Sequence, residues 1–311
     1  MSTSADFSHL DDLVTIRDWL RYAVSRFTAA NLSFGHGTET ALDEAAYLIL
    51  SALSLPIDQL EPWMEARLTR DERAKVADLI QQRVATRKPA AYLVNAAWIR
   101  GRPFYVDERV IVPRSYIGEL LDDGLSAVVP DPDGVETILD LCTGSGCLAI
   151  LAALTFPNAA VDAIDISVGA LEVAARNVED YGLADRVALH RSDLFAGLEG
   201  RTYDLIIANP PYVTAEAVAA FPPEYRAEPE LAHLGGDDGL DIVRRILAEA
   251  AVHLNTEGML VVEVGMAREA LETEYPSLPF LWLDTEQSEG ELFALSADAL
   301  RRQGGDRRRK A

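Results

Sequence analysis

The stretch Asp140-Leu141-Cys142-Thr143-Gly144-Ser145-Gly146 constrains this chain more than any other. It follows the apolar run Thr137-Ile138-Leu139 and leads straight into Cys147-Leu148-Ala149-Ile150-Leu151-Ala152-Ala153-Leu154, an apolar run of helix length. A strand that passes through a glycine turn into a helix opens a parallel α/β sheet. Gly144 and Gly146 permit the tight turn and let a ligand approach the backbone. The helix start offers unpaired N–H groups. Ala160-Val161-Asp162-Ala163-Ile164 reads as the next strand, and Asp165 stands at its end. An acid about 20 residues past the last glycine accepts ribose hydroxyls. A nucleoside-containing cofactor follows.

The alternation continues from Val135. Val187-Ala188-Leu189 reads as a third strand and Leu205-Ile206-Ile207-Ala208 as a fourth, buried one. A helix over Gly239 to Val252, a strand over Met259 to Val264, and edge strands near Phe280–Leu283 and Leu292–Leu295 complete the sheet. The fourth strand ends in Asn209-Pro210-Pro211-Tyr212. Ligands of open α/β sheets bind outside the carboxyl ends of the strands, so this turn faces the site. The Asn209 amide donates and accepts hydrogen bonds. Pro210 and Pro211 have fixed φ and no N–H, leaving carbonyl acceptors on a stiff turn. Tyr212 adds a flat wall. Together they suit a planar, neutral group bearing NH2.

Two cofactors compete. Gly144-Ser145-Gly146-Cys147-Leu148-Ala149 also fits the dinucleotide fingerprint. Asp140 is poorly placed for a pyrophosphate and well placed near a cation such as S-adenosylmethionine. The Asn-Pro-Pro-Tyr turn has no task in hydride transfer. Both features favour S-adenosylmethionine over a nicotinamide.

On these paired motifs the chain resembles the class I S-adenosylmethionine-dependent protein-(glutamine-N5) methyltransferases, from Thr86 to Leu295 and more weakly in the N-terminal helices. Asn-Pro-Pro-Tyr is shared with adenine-N6 DNA methyltransferases, which also methylate a planar NH2. Pro89-Ala90-Ala91-Tyr92-Leu93, Val112-Pro113-Arg114, and Glu228-Pro229-Glu230-Leu231 leading to Gly235-Gly236-Asp237-Asp238-Gly239-Leu240 resemble the protein-modifying enzymes. Ser115-Tyr116-Ile117 after the Arg, Leu194 after Asp193, and Cys142 resemble the branch acting on large ribosomal subunit protein three. The other branch methylates the Gly-Gly-Gln loop of release factors and stays as the alternative.

The resemblance implies an α/β Rossmann-like fold with a mostly parallel seven-stranded sheet, whose last strand enters antiparallel. It places the cofactor on Cys142, Thr143, Gly144, Ser145, Gly146, Asp165, Asp193, Leu194 and Asn209, beside Asp140. Asn209, Pro210, Pro211 and Tyr212 would hold the substrate glutamine, with Arg114 helping to close the pocket. In the implied chemistry the Asn209 oxygen and the Pro210 carbonyl accept the two amide N–H bonds, Tyr212 packs on the amide plane, and no side chain acts as an obvious base. Such orientation contributes about 7–11 kcal/mol in favourable cases. Plainer roles compete at several positions. Asp165 would cap a helix beginning near Ser167, Asp193 a turn, Leu194 would be core, and Arg114 would sit in a surface ion pair.

Upstream, Leu13, Ile16, Trp19, Leu20, Ala23 and Phe27 recur at helical spacing, as do Ala45, Leu48, Ile49 and Ala52, and Val76, Leu79, Ile80 and Val84. The organisation expected is a substrate-recognising helical domain over 1–94, a hairpin linker over 95–112, the methyltransferase domain over 113–300, and a disordered basic tail over 301–311. The loop from Val213 to Asp238 is long and reads as a lid.

The net charge of −22, from 50 acidic and 28 basic residues, repels nucleic acid and attracts a basic protein. Solubility alone accounts for it equally well. A basic ribosomal protein is therefore an expected partner, and direct DNA binding is not. Cys142 and Cys147 are the only cysteines, the five histidines are scattered, and no metal is expected. No apolar run is long enough for a membrane span and the first residues lack a signal pattern, so the cytoplasm is the expected location. A nicotinamide oxidoreductase, an inactive adaptor and a DNA adenine methyltransferase are the rival classes.

Overall fold

A computed structural model describes residues 10–310. The chain divides into two compact units. One holds the residues up to Ala97 with Val106–Glu108 and Phe221–Glu228; the other holds Trp98–Tyr105, Arg109–Ala220 and the chain from Pro229.

The first unit is built on α1 (Ile16–Ala29), α2 (Ala41–Ala52), α3 (Arg70–Thr86) and α4 (Ala90–Val94). Thr15 and Asp18 form a capping box at α1, and Thr69 and Glu72 another at α3, so the first-turn N–H groups find acceptors. Most of each expected face is buried: Ile16, Trp19, Leu20, Ala23 and Phe27 meet Ala45, Leu48, Ile49, Val76 and Ile80 in one core, with Leu13, Ala52 and Val84 half-buried against it and Leu79 half-buried outside it. The third face also buries Arg83, which periodicity did not mark. Arg83 donates to Glu44 at 2.6 Å and to the Ser33 carbonyl at 3.0 Å. Close by, Glu224 accepts from the Ser33 N–H at 3.0 Å and pairs with Arg87 at 2.7 Å.

Glu224 comes from the long loop between Val213 and Asp238, which is not without regular structure. The loop carries α8 (Ala215–Ala219) and 3-10 turns at Pro223–Ala227 and Glu230–Ala232, and Phe221–Glu228 packs with the helical unit. Thr214 caps α8, and the prolines that break a long helix suit the start of a 3-10 turn. The expected tail also differs. α11 runs from Ala297 to Lys310, helped by an Arg302–Asp298 pair one turn apart. Arginine, glutamine and lysine are good helix formers, and the two glycines at 304–305 do not outweigh them.

The second unit opens with a two-stranded sheet, β1 (Ala97–Ile99) with β2 (Arg102–Phe104), and α5 (Ile117–Asp122). Then strands and helices alternate: β3 (Thr137–Leu141), α6 (Cys147–Thr155), β4 (Ala160–Asp165), α7 (Val168–Asp180), β5 (Val187–Arg191), β6 (Tyr203–Ala208), α9 (Asp241–His253), β7 (Leu254–Glu263), α10 (Arg268–Glu274), β8 (Leu281–Leu283) and β9 (Leu292–Ser296). The sheet order is β5-β4-β3-β6-β7-β9-β8. β9 runs antiparallel to both neighbours. Only β8 is an edge at that end, because β9 inserts between β7 and β8. Ile138, Leu205, Ile207 and Val261 feed one core with α5 and α6; Leu139, Ile206, Ala208 and Val262 feed the other with α9, α10 and α11. The sheet is thus buried on both faces, which is why its strands read as continuous apolar runs.

Candidate active site

Parallel register decides which residues meet at the carboxyl edge. Leu141 pairs with Ile164 on one side and with Ala208 on the other, and Ala208 pairs with Val262. The next residue of each strand is therefore level with its neighbours: Asp165, Cys142, Asn209 and Glu263 form one row. β3 is the strand from which the order departs in both directions, and such a switch point is where open sheets bind ligands.

The glycine turn is held by carboxylates. Asp140 is fully buried, and its Oδ2 accepts from the Thr143 hydroxyl at 2.5 Å and from the Ala149 N–H, in the first turn of α6, at 3.1 Å. Its Oδ1 has no hydrogen-bond partner among the described residues. Burial pushes its carboxyl up to about 7. Asp165 accepts from the Gly144 N–H and from the Ser167 N–H, each at 2.9 Å. It thus fixes the turn and serves the start of α7 at once. Burial pushes its carboxyl up as well, against those hydrogen bonds. Gly146 has φ of 79° and caps α6; a Cβ there would meet Ala174 at 3.1 Å. A Cβ on Gly144 would meet nothing within 4 Å, so the turn faces open space. Cys142 takes φ of 60°, a left-handed conformation that suits glycine. Both cysteines are free thiols, each pushed up by burial, Cys147 to about 12.

Asp193 pairs with Arg245 at 2.9 Å, and Leu194 is buried among the core residues beneath. The plainer role expected for Leu194 is therefore also filled. Ile166, which sequence reading passed over, is 47% exposed directly after Asp165 and offers an apolar surface beside it. Asn177 was also missed. It is buried, donates to the Ser145 carbonyl at 2.8 Å and joins Tyr105 through both its amide atoms.

The Asn209–Tyr212 turn is braced from behind. The Val213 N–H donates to His233, the Gly235 N–H to Val213, and the Ala215 N–H to Gly236. Here glycine is required: a Cβ on Gly235 would stand 2.7 Å from the Pro211 carbonyl, and one on Gly239 2.3 Å from that of Tyr212. The Tyr212 ring lies against Gly265, and its hydroxyl donates to Glu263 Oε1 at 2.9 Å. Oε2 of the same carboxylate accepts from the Ser115 hydroxyl at 2.6 Å and the Tyr116 N–H at 3.0 Å. Glu263 is 1% exposed, and burial pushes its carboxyl up. Arg114 donates to the Val112 carbonyl at 3.2 Å, and its charge acts on the Tyr212 hydroxyl.

Residues 120–221 match the Methyltransferase small domain family. The ribosomal protein uL3 glutamine methyltransferase of Bradyrhizobium diazoefficiens is 61% identical over 92% of this chain and 92% of its own. Those of Bordetella pertussis and Neisseria gonorrhoeae are 54% identical, over 93% and 97%, and 55%, over 93% and 96%. The chain belongs to the ribosomal protein uL3 glutamine methyltransferase family. The expected branch and Rossmann-like methyltransferase fold are both found. Among the described residues, no helix is long and apolar enough to cross a membrane.

Proposed function

We propose that this methyltransferase moves the methyl group of S-adenosylmethionine to the side-chain amide nitrogen of a glutamine in ribosomal protein uL3. The observation that carries the reading is the β3–β6 register, which sets the glycine turn and the Asn-Pro-Pro-Tyr turn side by side in a chain 61% identical to a relative named for that reaction.

The residues present fit the cofactor. Asp140 keeps an unpartnered buried oxygen, as expected beside a cation, and the Gly144 backbone faces open space. Bound there, the cofactor supplies an electrophilic methyl group. Cys142, Thr143, Gly144, Ser145 and Gly146 would line it, Asp165 would accept ribose hydroxyls with its remaining lone pairs, and Ile166, Asp193 and Leu194 would frame the adenine. The Asn209 oxygen and the Pro210 carbonyl would accept the two N–H bonds of the glutamine amide, turning its nitrogen toward the methyl group. Pro211 stiffens that turn, Tyr212 packs on the amide plane, and Arg114 closes the substrate side. Planarity leaves the amide nitrogen weakly nucleophilic, so orientation is what the site contributes. The acidic surface would favour a basic partner, with the helical unit recognising it.

The test offers purified uL3 and a purified release factor with labelled cofactor, and mass spectrometry then locates the methyl group. Label on a uL3 glutamine is expected. Label on the release-factor Gly-Gly-Gln loop alone would overturn the substrate assignment.

A further inference from the structure

The Asn-Pro-Pro-Tyr turn does not stand alone. Glu263 leaves β7 level with Asn209, and it joins Tyr212 to the segment before α5, through one oxygen to the Tyr212 hydroxyl and the other to Ser115 and Tyr116. An uncharged amide would make the same three contacts, its oxygen accepting from Ser115 and Tyr116 and its NH2 donating to the tyrosine oxygen. The charge is therefore what glutamate adds, and it is added where charge is costly, since no lysine or arginine is in a salt bridge with Glu263 among the described residues.

We propose that Glu263 is a positioning residue for methyl transfer: it holds the Tyr212 ring and sets a negative charge behind it, facing the positive charge that arrives on the substrate nitrogen. The inference rests on the glutamine-methylating reading above. In the transfer, the sulfur–methyl bond breaks with its electron pair left on sulfur, and the nitrogen lone pair forms the new carbon–nitrogen bond. The nitrogen then carries a positive charge until one of its protons leaves to water. A fixed negative charge in a water-poor site stabilises that state more than the neutral amide before it. It acts through the tyrosine, whose ring face is itself negative and whose hydroxyl bond to a carboxylate enriches it.

Burial raises the Glu263 carboxyl, its three donors lower it, and Glu291 raises it further; Arg114 acts on Tyr212 in the opposite sense to Glu291. Turnover should therefore have an acid limb that follows ionisation of Glu263. The experiment compares the wild-type chain with Glu263→Gln, reading kcat against pH on whichever protein accepts the label, cofactor affinity by calorimetry, and the Glu263 carboxyl by carbon NMR. The variant is expected to bind cofactor as the wild type does, to lose at least about tenfold in kcat, and to lose the acid limb, whose midpoint matches the NMR titration. A variant with wild-type kcat, or one that keeps the limb, overturns the proposal. If Glu263→Gln does not fold, Tyr212→Phe decides alone. It removes a hydrogen bond that lowers the Glu263 pKa, so the limb must move to higher pH, and an unmoved limb overturns the proposal. Choosing the substrate by its label keeps this result separate from the uL3 assignment.

Discussion

Asp140 allows a sharp test of the cofactor site. Its Oδ2 is spent on Thr143 and Ala149, its Oδ1 is unpartnered, and its carboxyl titrates near 7 instead of near 3.8. A cation bound beside it favours the ionised form, so binding must expel the proton wherever one is present. With a pKa near 7, about one-tenth of the protein is ionised at pH 6 and about nine-tenths at pH 8. S-adenosylmethionine affinity should rise about tenfold across that range, or about 1.4 kcal/mol. Calorimetry at pH 7 in buffers of different ionisation enthalpy should show about half a proton released. Asp140→Asn should bind weakly at every pH without that slope, which separates Asp140 from the amine of the ligand. S-adenosylhomocysteine, which lacks the sulfonium charge, should show a shallower dependence. The stability sign is opposite. A carboxyl raised in the fold loses stability as pH climbs from its unfolded value toward 7. Asp140→Asn without ligand should accordingly gain on the wild type above pH 7. Flat wild-type affinity between pH 6 and 8, or a slope that survives in Asp140→Asn, would refute the placement of a cation at Asp140.

Other sites make separate predictions. Asn209→Ala should fold normally yet lower kcat by about 10²-fold or more, and near wild-type methylation would sink the role given to its amide. Cys142→Gly should stabilise the chain by about 1 kcal/mol, because the left-handed turn strains a side chain; urea unfolding with no gain would contradict that. Glu224→Gln leaves Arg83 its bonds to Glu44 and Ser33 but removes the charge paired with Arg87. It should therefore lower stability by about 2–3 kcal/mol, below the cost of a fully orphaned buried charge, and an unchanged urea midpoint would count against it. Met266, 92% exposed directly after the glycine under the Tyr212 ring, offers an apolar contact to the substrate. Met266→Ser should raise KM for the protein substrate about fivefold and leave cofactor affinity alone; an unchanged KM would remove Met266 from the substrate surface.

What could be read from the sequence was what is local. The glycine turn, Asp165 and the Asn-Pro-Pro-Tyr turn each follow an apolar strand within a few residues, so a strand-end rule finds them. Glu263 also follows such a strand, yet it reads as an ordinary charged residue until pairing shows which hydroxyls converge on it. Arg83 hides for the same reason, since its partners Glu44, Ser33 and Glu224 lie far away in sequence. The long loop misled because its prolines suggest irregularity, while it is anchored by buried carboxylates, those of Glu224 and Glu228, whose partners lie far away in sequence. β9 seemed an edge because its run is short, and only the antiparallel ladder to β7 places it inside the sheet.

The row of Asp165, Cys142, Asn209 and Glu263 depends on something at the opposite end of the sheet. β6 and β7 are out of step near their starts: Tyr203 pairs with Leu254, but Leu205 pairs with Met259. The extra residues of β7 bulge there, and Gly258 lets the bulge close, since a Cβ on it would meet the Tyr203 carbonyl at 2.8 Å. Asp204, between the two pairs, holds the bulge from the other strand by accepting from Asn255 at 2.6 Å. From Leu205 onward the ladder is regular to Ala208 and Val262. A strand that slipped by one residue would turn each side chain to the opposite face, so Glu263 would leave Tyr212 and the carboxylate would point away from the turn. The glycine that secures the geometry of this row is therefore Gly258 as much as Gly144 or Gly146, although it lies at the opposite end of the sheet.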